Sequence, residues 1–138
     1  MRVDGPRDAS PLILLHSLGT DHRVWQPQAE ALERRFLVLR PDLRGHGLSD
    51  VLPGPYTIES MARDVLDALD AIGIDRLPVA GLSIGGRVAQ SLAAQAPDRI
   101  STLVLVDTAL AIPPAELWRQ RAATVRAPDR ARTRSAQP

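Results

Sequence analysis

The sequence predicts an α/β fold with a parallel sheet, and two observations support this prediction. Short apolar runs recur at residues 12–15, 36–39, 77–80 and 103–106, as expected of strands that are buried on both faces. The segments between these runs favour helices. Strands that alternate with helices are joined by right-handed crossovers, which makes neighbouring strands parallel. We therefore expect about four strands with flanking helices.

The segment 57–73 carries the clearest helical pattern. Thr57 can cap the start of this helix, and Gly73 can end it. Further helices are predicted at 24–34 and 84–96, the second ended by Pro97. One apolar stripe runs along the first helix, formed by Ile58, Met61, Ala62, Val65, Leu66, Leu69 and Ile72.

The chain divides into three parts. Residues 1–112 are predicted to form the α/β core, and residues 113–126 to form a further helix with Pro113 and Pro114 at its start. Residues 127–138 contain no apolar side chain larger than alanine. We expect this tail to be disordered, because it cannot bury enough apolar surface to offset its conformational entropy.

Composition excludes several classes of function. The chain has 138 residues and a formal net charge of +1, so no large field attracts nucleic acid or an anionic membrane. It contains no cysteine and no lysine, which excludes disulfides, thiolate metal sites, P-loops and Schiff bases. No segment is apolar for long enough to be a membrane span or a secretory signal. We expect a cytoplasmic protein with neither nucleic-acid nor membrane partners.

The segment Gly81-Leu82-Ser83-Ile84-Gly85 has the spacing of a nucleophilic serine on a tight turn from a strand into a helix. Glycine is needed on both sides, because larger residues would collide with the neighbouring strand and helix. Such a turn exposes the hydroxyl of Ser83 at the carboxyl end of the sheet. A dinucleotide-binding loop is the competing interpretation, but this segment lacks the second glycine of G-x-G-x-x-G.

Two backbone N–H groups are predicted to form an oxyanion hole beside Ser83. One is that of Ile84, at the start of the helix, where the positive end of the helix dipole also lies. The other is that of Leu18, in the turn His16-Ser17-Leu18-Gly19 that follows the first predicted strand. The alternative for this turn is a plain strand end with a packed histidine.

Several other polar and aromatic residues have simpler interpretations. The segment at 42–50, DLRGHGLSD, suits a generic polar loop in which His46 has no catalytic role. Trp25 and Trp118 are predicted to be packing residues, although Trp25 follows the Leu18 turn closely enough to border a pocket.

Three segments together resemble a known family. LILLHSLG, RPDLRGHGLSD and VAGLSIGG, in this order and spacing, are similar to the first half of an α/β-hydrolase. Within that superfamily, HSLGTDHRVW, PGPYTIESMARDVLDALDAIGI and GLSIGGRVAQSLAAQAPDRISTLVLVDTA resemble the 3-oxoadipate enol-lactonases of aromatic catabolism. The resemblance extends from about residue 2 to about residue 126. It implies that the helix at 113–126 begins a cap.

The resemblance also implies that parts are missing. Members of the family are about twice as long, begin with an earlier strand, and place the acid and the histidine of their catalytic triad after the serine. We therefore expect a truncated core. His16, beside the oxyanion turn, is a weak candidate for the base. Asp107, at the end of the fourth predicted strand, is a weak candidate for the acid, and a cap or a salt bridge is its alternative role.

The implied reaction is hydrolysis of an enol-lactone through an acyl-enzyme on Ser83, with neither cofactor nor metal. The substrate would be a small ester or lactone, and Arg44 and Arg87 are candidates to bind its carboxylate, with a surface or packing role as the alternative. Two alternatives to the enol-lactonase stay open. One is a general esterase or a cofactor-free haloperoxidase-like hydrolase, and the other is a non-catalytic fragment that associates through an exposed sheet edge.

Overall fold

The sheet has five strands in the order β1-β3-β2-β4-β5. The structure is a computed structural model, and it describes residues 1–110 and 115–126. The strands are β1 (Arg2–Asp4), β2 (Ser10–Leu15), β3 (Phe36–Arg40), β4 (Leu77–Leu82) and β5 (Ile100–Val106). The helices are α1 (Gln26–Leu32), α2 (Ile58–Ala71), α3 (Ile84–Gln95) and α4 (Ala115–Arg126), with short 3₁₀ turns at His22–Trp25 and Pro97–Arg99.

The prediction of a parallel sheet with flanking helices is confirmed for β2 to β5. These four strands pair in parallel, and each contains one of the predicted apolar runs. The count of four strands was one too low, because β1 pairs antiparallel with β3 and places Arg2 opposite Arg40. β1 has only three residues and no apolar run, so hydrophobic periodicity could not find it.

Helix α2 forms as its pattern predicts. Thr57 accepts a hydrogen bond from the N–H of Ser60, whose hydroxyl in turn accepts from the N–H of Thr57, which completes a capping box. Gly73 follows the helix with a φ of +71°, a conformation that glycine adopts without strain. The buried stripe of α2 consists of Met61, Ala62, Val65, Leu66 and Leu69.

Apolar side chains form two clusters on opposite faces of the sheet. Along β2, Ile13 and Leu15 contribute to the larger cluster beneath α2 and α3, and Leu14 contributes to the smaller one beneath α1, because side chains alternate between faces along a strand. Trp25 is buried in the smaller cluster, which confirms its packing role. Its indole N–H finds no acceptor among the described residues.

The last described helix, α4, is more exposed to solvent than the core helices. Trp118 in α4 is half-buried, and the Arg121 guanidinium lies 5.0 Å from the centre of its ring. Pro113, Pro114 and the predicted tail at 127–138 lie outside the described residues. Within the described ranges, no helix combines the length and apolar character that crossing a membrane requires.

A buried ion pair joins β1 to the rest of the sheet. Arg40 is 1% exposed, and its Nη2 donates to Asp4 Oδ2 at 2.6 Å. Its Nη1 donates to the carbonyl of His22 at 3.1 Å and to the side chain of Gln26 at 2.9 Å. Arg2 binds the other oxygen of the Asp4 carboxylate. Each of the three guanidinium nitrogens of Arg40 thus has a hydrogen-bond partner, as a buried guanidinium requires.

Removing one partner of this pair should destabilise the fold strongly. Asp4→Asn leaves the buried guanidinium of Arg40 without its counter-charge, so we expect a loss of about 3–5 kcal/mol in the free energy of unfolding. Glu116→Gln is the matched control, because it removes a carboxylate from an exposed ion pair with Arg119 and should cost under about 1 kcal/mol. Urea unfolding of both variants measures the difference, and equal losses would contradict the prediction.

Candidate active site

Ser83 lies between the end of β4 and the start of α3, in a strained conformation. Its φ is 54°, and Asp107 is the one other described non-glycine residue with positive φ. Such a backbone costs about 1–3 kcal/mol and persists only where neighbours hold it. The Ser83 N–H donates to the carbonyl of Val106 at 3.0 Å. The Ser83 carbonyl accepts from the hydroxyl of Thr108 at 2.7 Å and from the N–H of Gly86 at 3.0 Å.

Three glycines make this turn sterically feasible. A Cβ on Gly81 would overlap the carbonyl of Gly85, and a Cβ on Gly86 would overlap the side chain of Thr108. A Cβ on Gly85 would overlap the carbonyl oxygens of Leu15 and His16. The first turn of α3 therefore lies directly against the end of β2, at a distance that only glycine permits.

This contact brings the two predicted oxyanion segments together. The turn that contains Leu18 begins at His16, whose carbonyl faces Gly85, and it is closed by a hydrogen bond from the Thr20 N–H to the Ser17 carbonyl. Ile84 is the first residue of α3, so its N–H has no acceptor within the helix. The donor roles of Leu18 and Ile84 stay predictions.

The burial and hydrogen bonds of His16 differ from those of a catalytic base. It is fully buried, its Nδ1 donates to the Ser17 carbonyl at 2.8 Å, and its Nε2 accepts from the Leu43 N–H at 2.9 Å. Burial lowers its pKa, which favours the neutral ring that these two bonds need. Both ring nitrogens are occupied, so this structure leaves His16 no lone pair with which to activate Ser83.

Asp107 directly follows β5 and is exposed. Neither a salt bridge nor a side-chain hydrogen bond joins its carboxylate to the described residues, so the predicted capping or ion-pair role is not realised there. The positive φ of Asp107, 43°, turns the chain so that Thr108 reaches the carbonyl of Ser83. The backbone at Asp107 therefore helps to hold the serine turn.

The loop after β3 is more ordered than a generic polar loop. The buried Asp42 accepts from the N–H and the ring Nδ1 of His22, at 2.7 and 2.9 Å, and from the N–H of Leu48 at 2.9 Å. Burial alone would raise the pKa of Asp42, but these hydrogen bonds outweigh it and lower the pKa. Arg40, Asp42 and His16 are the buried polar residues of the described chain. Arg40 and Asp42 both bind His22, and His16 joins the turn that contains Leu18 to the N–H of Leu43.

The remaining candidates are held by other contacts. His46 is half-buried, donates to the carbonyl of Arg44 at 3.1 Å, and lies with its ring centre 5.1 Å from that of His16. Arg44 forms a two-point ion pair with Asp64 of α2, which fits its alternative packing role. Arg87 donates to the carbonyl of Ala109 at 3.3 Å. A cavity of about 220 Å³ borders Arg44 and Asp64, and Ser83 is not among its lining residues.

One group of side chains has the composition of a metal site. Asp21, His22 and Asp42 place ligand atoms within 4.8 Å of one another. However, Asp21 is bound at both carboxylate oxygens by Arg23, and its hydrogen bonds with Arg23 hold its pKa well below its usual range. Asp42 uses its oxygens for His22 and Leu48. Each of the three side chains is thus already engaged in hydrogen bonds within the protein, so the group fits a structural anchor better than a cation site.

Fold and serine turn together define a class of protein. A model of the alpha/beta hydrolase fold family matches residues 10–128, and the chain belongs to this family. The 3-oxoadipate enol-lactonase 1 of Acinetobacter baylyi is 37% identical over 127 residues. Two solved structures, a hydrolase from Pseudomonas aeruginosa PA01 and the enol-lactonase from Burkholderia xenovorans LB400, are 47% and 45% identical, each with a TM-score of 0.88.

The chain spans about half the length of the proteins it matches. It aligns over 92% of its own length with 47% of the Acinetobacter enzyme. It aligns over 96% and 92% of its length with 50% of each of the two solved chains. The similarity thus covers almost all of this chain and the equivalent half of each relative.

Enlarging Gly85 should disrupt the contact between α3 and β2. In Gly85→Ala the new methyl group meets two carbonyl oxygens of the backbone, which cannot rotate away, so we expect a loss of about 3 kcal/mol or more in the free energy of unfolding. Gly73→Ala is the control, because no atom lies within 4 Å of its added Cβ and only the positive φ costs about 1 kcal/mol. Chemical denaturation compares the two, and a smaller loss in Gly85→Ala would show that the contact can relax.

The buried His16 should make stability depend on pH. Because its pKa is lowered from the ordinary 6.5 in the fold, the unfolded chain binds more protons there, and the free energy of unfolding should fall as pH drops through that value. We expect a decline between about pH 7.5 and about pH 5.5 that His16→Gln lacks. Urea titrations at several pH values measure the slope. If the free energy of unfolding of the wild type does not change with pH, or if His16→Gln keeps the same slope, then His16 is not the cause.

Proposed function

We propose that Ser83 is the nucleophile of a serine hydrolase that opens a small ester or lactone, with 3-oxoadipate enol-lactone as the substrate. The observation that carries this proposal is the strained Ser83, which is held by Val106 and Thr108 at the point where β4 enters α3. Backbone strain of this kind, at a position where glycine would relieve it, accumulates at functional sites. The similarity to enol-lactonases supports the substrate.

The proposed reaction is acyl transfer. The Ser83 Oγ gives its proton to a general base as it attacks the lactone carbonyl carbon, and the oxyanion that forms accepts hydrogen bonds from the N–H groups of Leu18 and Ile84. The ring C–O bond then breaks, and the enolate that leaves takes a proton and becomes a ketone. Water hydrolyses the acyl-enzyme, which restores the hydroxyl of Ser83 and releases 3-oxoadipate.

The base for this reaction is proposed to come from outside the described residues. His16 has both ring nitrogens bonded, whereas His22 and His46 use Nδ1 in bonds to Asp42 and to the carbonyl of Arg44. Among the described residues, no hydrogen bond joins any of the three histidines to Ser83. A serine without a base keeps only the catalysis that the oxyanion hole and substrate binding supply. The half of the relatives that this chain does not match is the proposed source of the base and of its orienting acid.

A fusion protein tests the nucleophile and the substrate together. This chain, joined to the unmatched half of the Burkholderia xenovorans enol-lactonase, should hydrolyse 3-oxoadipate enol-lactone, and Ser83→Ala should lower kcat by about 10⁴-fold or more. Ser10→Ala, an exposed serine in β2, is the matched control and should leave kcat unchanged.

The 138-residue chain alone provides a second test of the proposed function. It should hydrolyse p-nitrophenyl acetate no faster than its own Ser83→Ala variant, because no histidine among its described residues is hydrogen-bonded to Ser83. A burst that depends on Ser83 would contradict this expectation. In the fusion, a preference for the simple ester over the enol-lactone would refute the proposed substrate and favour a general esterase.

A further inference from the structure

The hydroxyl of Thr108 binds the peptide unit that also carries a predicted oxyanion donor. It donates to the Ser83 carbonyl at 2.7 Å. This carbonyl and the Ile84 N–H belong to one planar peptide unit, so the direction of one group sets the direction of the other. The peptide is trans, and the two groups therefore point in opposite directions. A contact that fixes the Ser83 carbonyl thus also aims the Ile84 N–H.

The Ser83 carbonyl accepts from three donors, and they act differently. The N–H groups of Gly86 and Arg87 donate to it at 3.0 and 3.2 Å. Both belong to the first turn of α3, so they align the peptide with the helix alone. Among the described residues, the Thr108 hydroxyl is the donor to this carbonyl that comes from outside α3. Because Thr108 lies two residues after β5, it ties the peptide to the sheet.

The backbone before Thr108 and the packing beside it both place its side chain at this carbonyl. A Cβ on Gly86 would lie 2.7 to 2.8 Å from the Cβ, Cγ2 and Oγ1 of Thr108, so the side chain lies directly against the first turn of α3. Asp107 has a strained φ of 43°. Its carboxylate has no bonding partner among the described residues, so the position of Thr108 is what this backbone accomplishes.

The Ile84 N–H is left available to a ligand. Ser83 occupies the N-cap position of α3, yet its side chain makes no capping hydrogen bond. No carbonyl of the described residues accepts from the Ile84 N–H. A hydrogen bond to the carbonyl of a peptide also polarises that peptide, which strengthens the N–H at its other end as a donor.

We propose that Thr108 is a positioning residue of the oxyanion hole, which aims and polarises the Ile84 N–H through the Ser83 carbonyl. The inference deepens the proposed function and rests on it, because it assigns a role within the same reaction. β5 is an edge strand whose residues 101–106 are exposed, so the hydroxyl also makes the oxyanion donor depend on the end of that strand.

The test uses the fusion of this chain with the unmatched half of the Burkholderia xenovorans enol-lactonase. Thr108→Val keeps the shape of the side chain and removes the hydroxyl, so kcat should fall at least about tenfold while KM stays within about twofold. Thr108→Ser keeps the hydroxyl and should retain kcat within about threefold. Thr102→Val is the matched control, since Thr102 is an exposed threonine of β5, and it should leave both constants unchanged.

Inhibition by phenylboronic acid distinguishes positioning from a folding defect. This compound forms a tetrahedral adduct with a serine Oγ and places an oxygen on boron where the oxyanion would lie. Its inhibition constant should rise in Thr108→Val by about the same factor by which kcat falls. A folding defect lowers the concentration of active enzyme and leaves the inhibition constant unchanged. Thr108→Ala removes the same hydroxyl and provides a second measurement.

The 138-residue chain alone supplies a measurement that needs no catalysis. The ¹⁵N resonance of the Ile84 amide should move upfield in Thr108→Val, because its peptide loses a hydrogen bond, and should stay in place in Thr108→Ser. A resonance that does not move, an unchanged kcat and inhibition constant in Thr108→Val, or an equal loss in Thr108→Ser would overturn the inference. A fusion without Ser83-dependent turnover would instead refute the proposed function and the catalytic role of Thr108 with it, whereas the Ile84 resonance still reports whether Thr108 fixes the peptide.

Discussion

The close approach of α3 to the end of β2 is the constraint on which the candidate site depends. Gly85 lies against the carbonyl oxygens of Leu15 and His16, and this contact fixes how far Ser83 stands from the turn that holds Leu18. Backbone atoms form the contact, so it cannot adjust by changing a rotamer. Any oxyanion geometry that the chain provides thus depends on how α3 packs against the end of β2, from which the turn that contains Leu18 leaves.

The buried polar residues extend this constraint to the neighbouring loops. His16 links the end of β2 to the N–H of Leu43, and Asp42 links the loop after β3 to His22. Arg40 binds the carbonyl of His22 and also anchors β1 through Asp4. Each of these groups costs free energy to bury, and each recovers it through hydrogen bonds to backbone that would otherwise be free to move. These buried polar groups therefore tie together β1, the end of β2, the 3₁₀ turn at His22–Trp25 and the loop after β3.

The strands, the main helices and the serine turn were accessible from the sequence because each is encoded locally. The run before Gly81 is continuously apolar, and the stripe of α2 has helical periodicity. The spacing of the glycines around Ser83 reveals by itself the steric requirement for them. β1 and the role of Arg40 were not accessible, because an arginine at the end of an apolar run gives no sign that it will be buried against Asp4, 36 residues away in the chain. His16 was ambiguous for the same reason, since its two partners become visible only when Leu43 is placed beside it.

The strain at Ser83 and the exposure of β5 are two aspects of one arrangement. Val106 and Thr108 hold the serine backbone in its high-energy conformation, and both belong to the end of β5 or follow it directly. An edge strand frays more readily than a paired one, because its outer backbone groups exchange with water at little cost. Fraying at Val106 would release the Ser83 N–H and let the turn relax towards a less strained backbone. An intact end of β5 is therefore a condition for the strained conformation of Ser83.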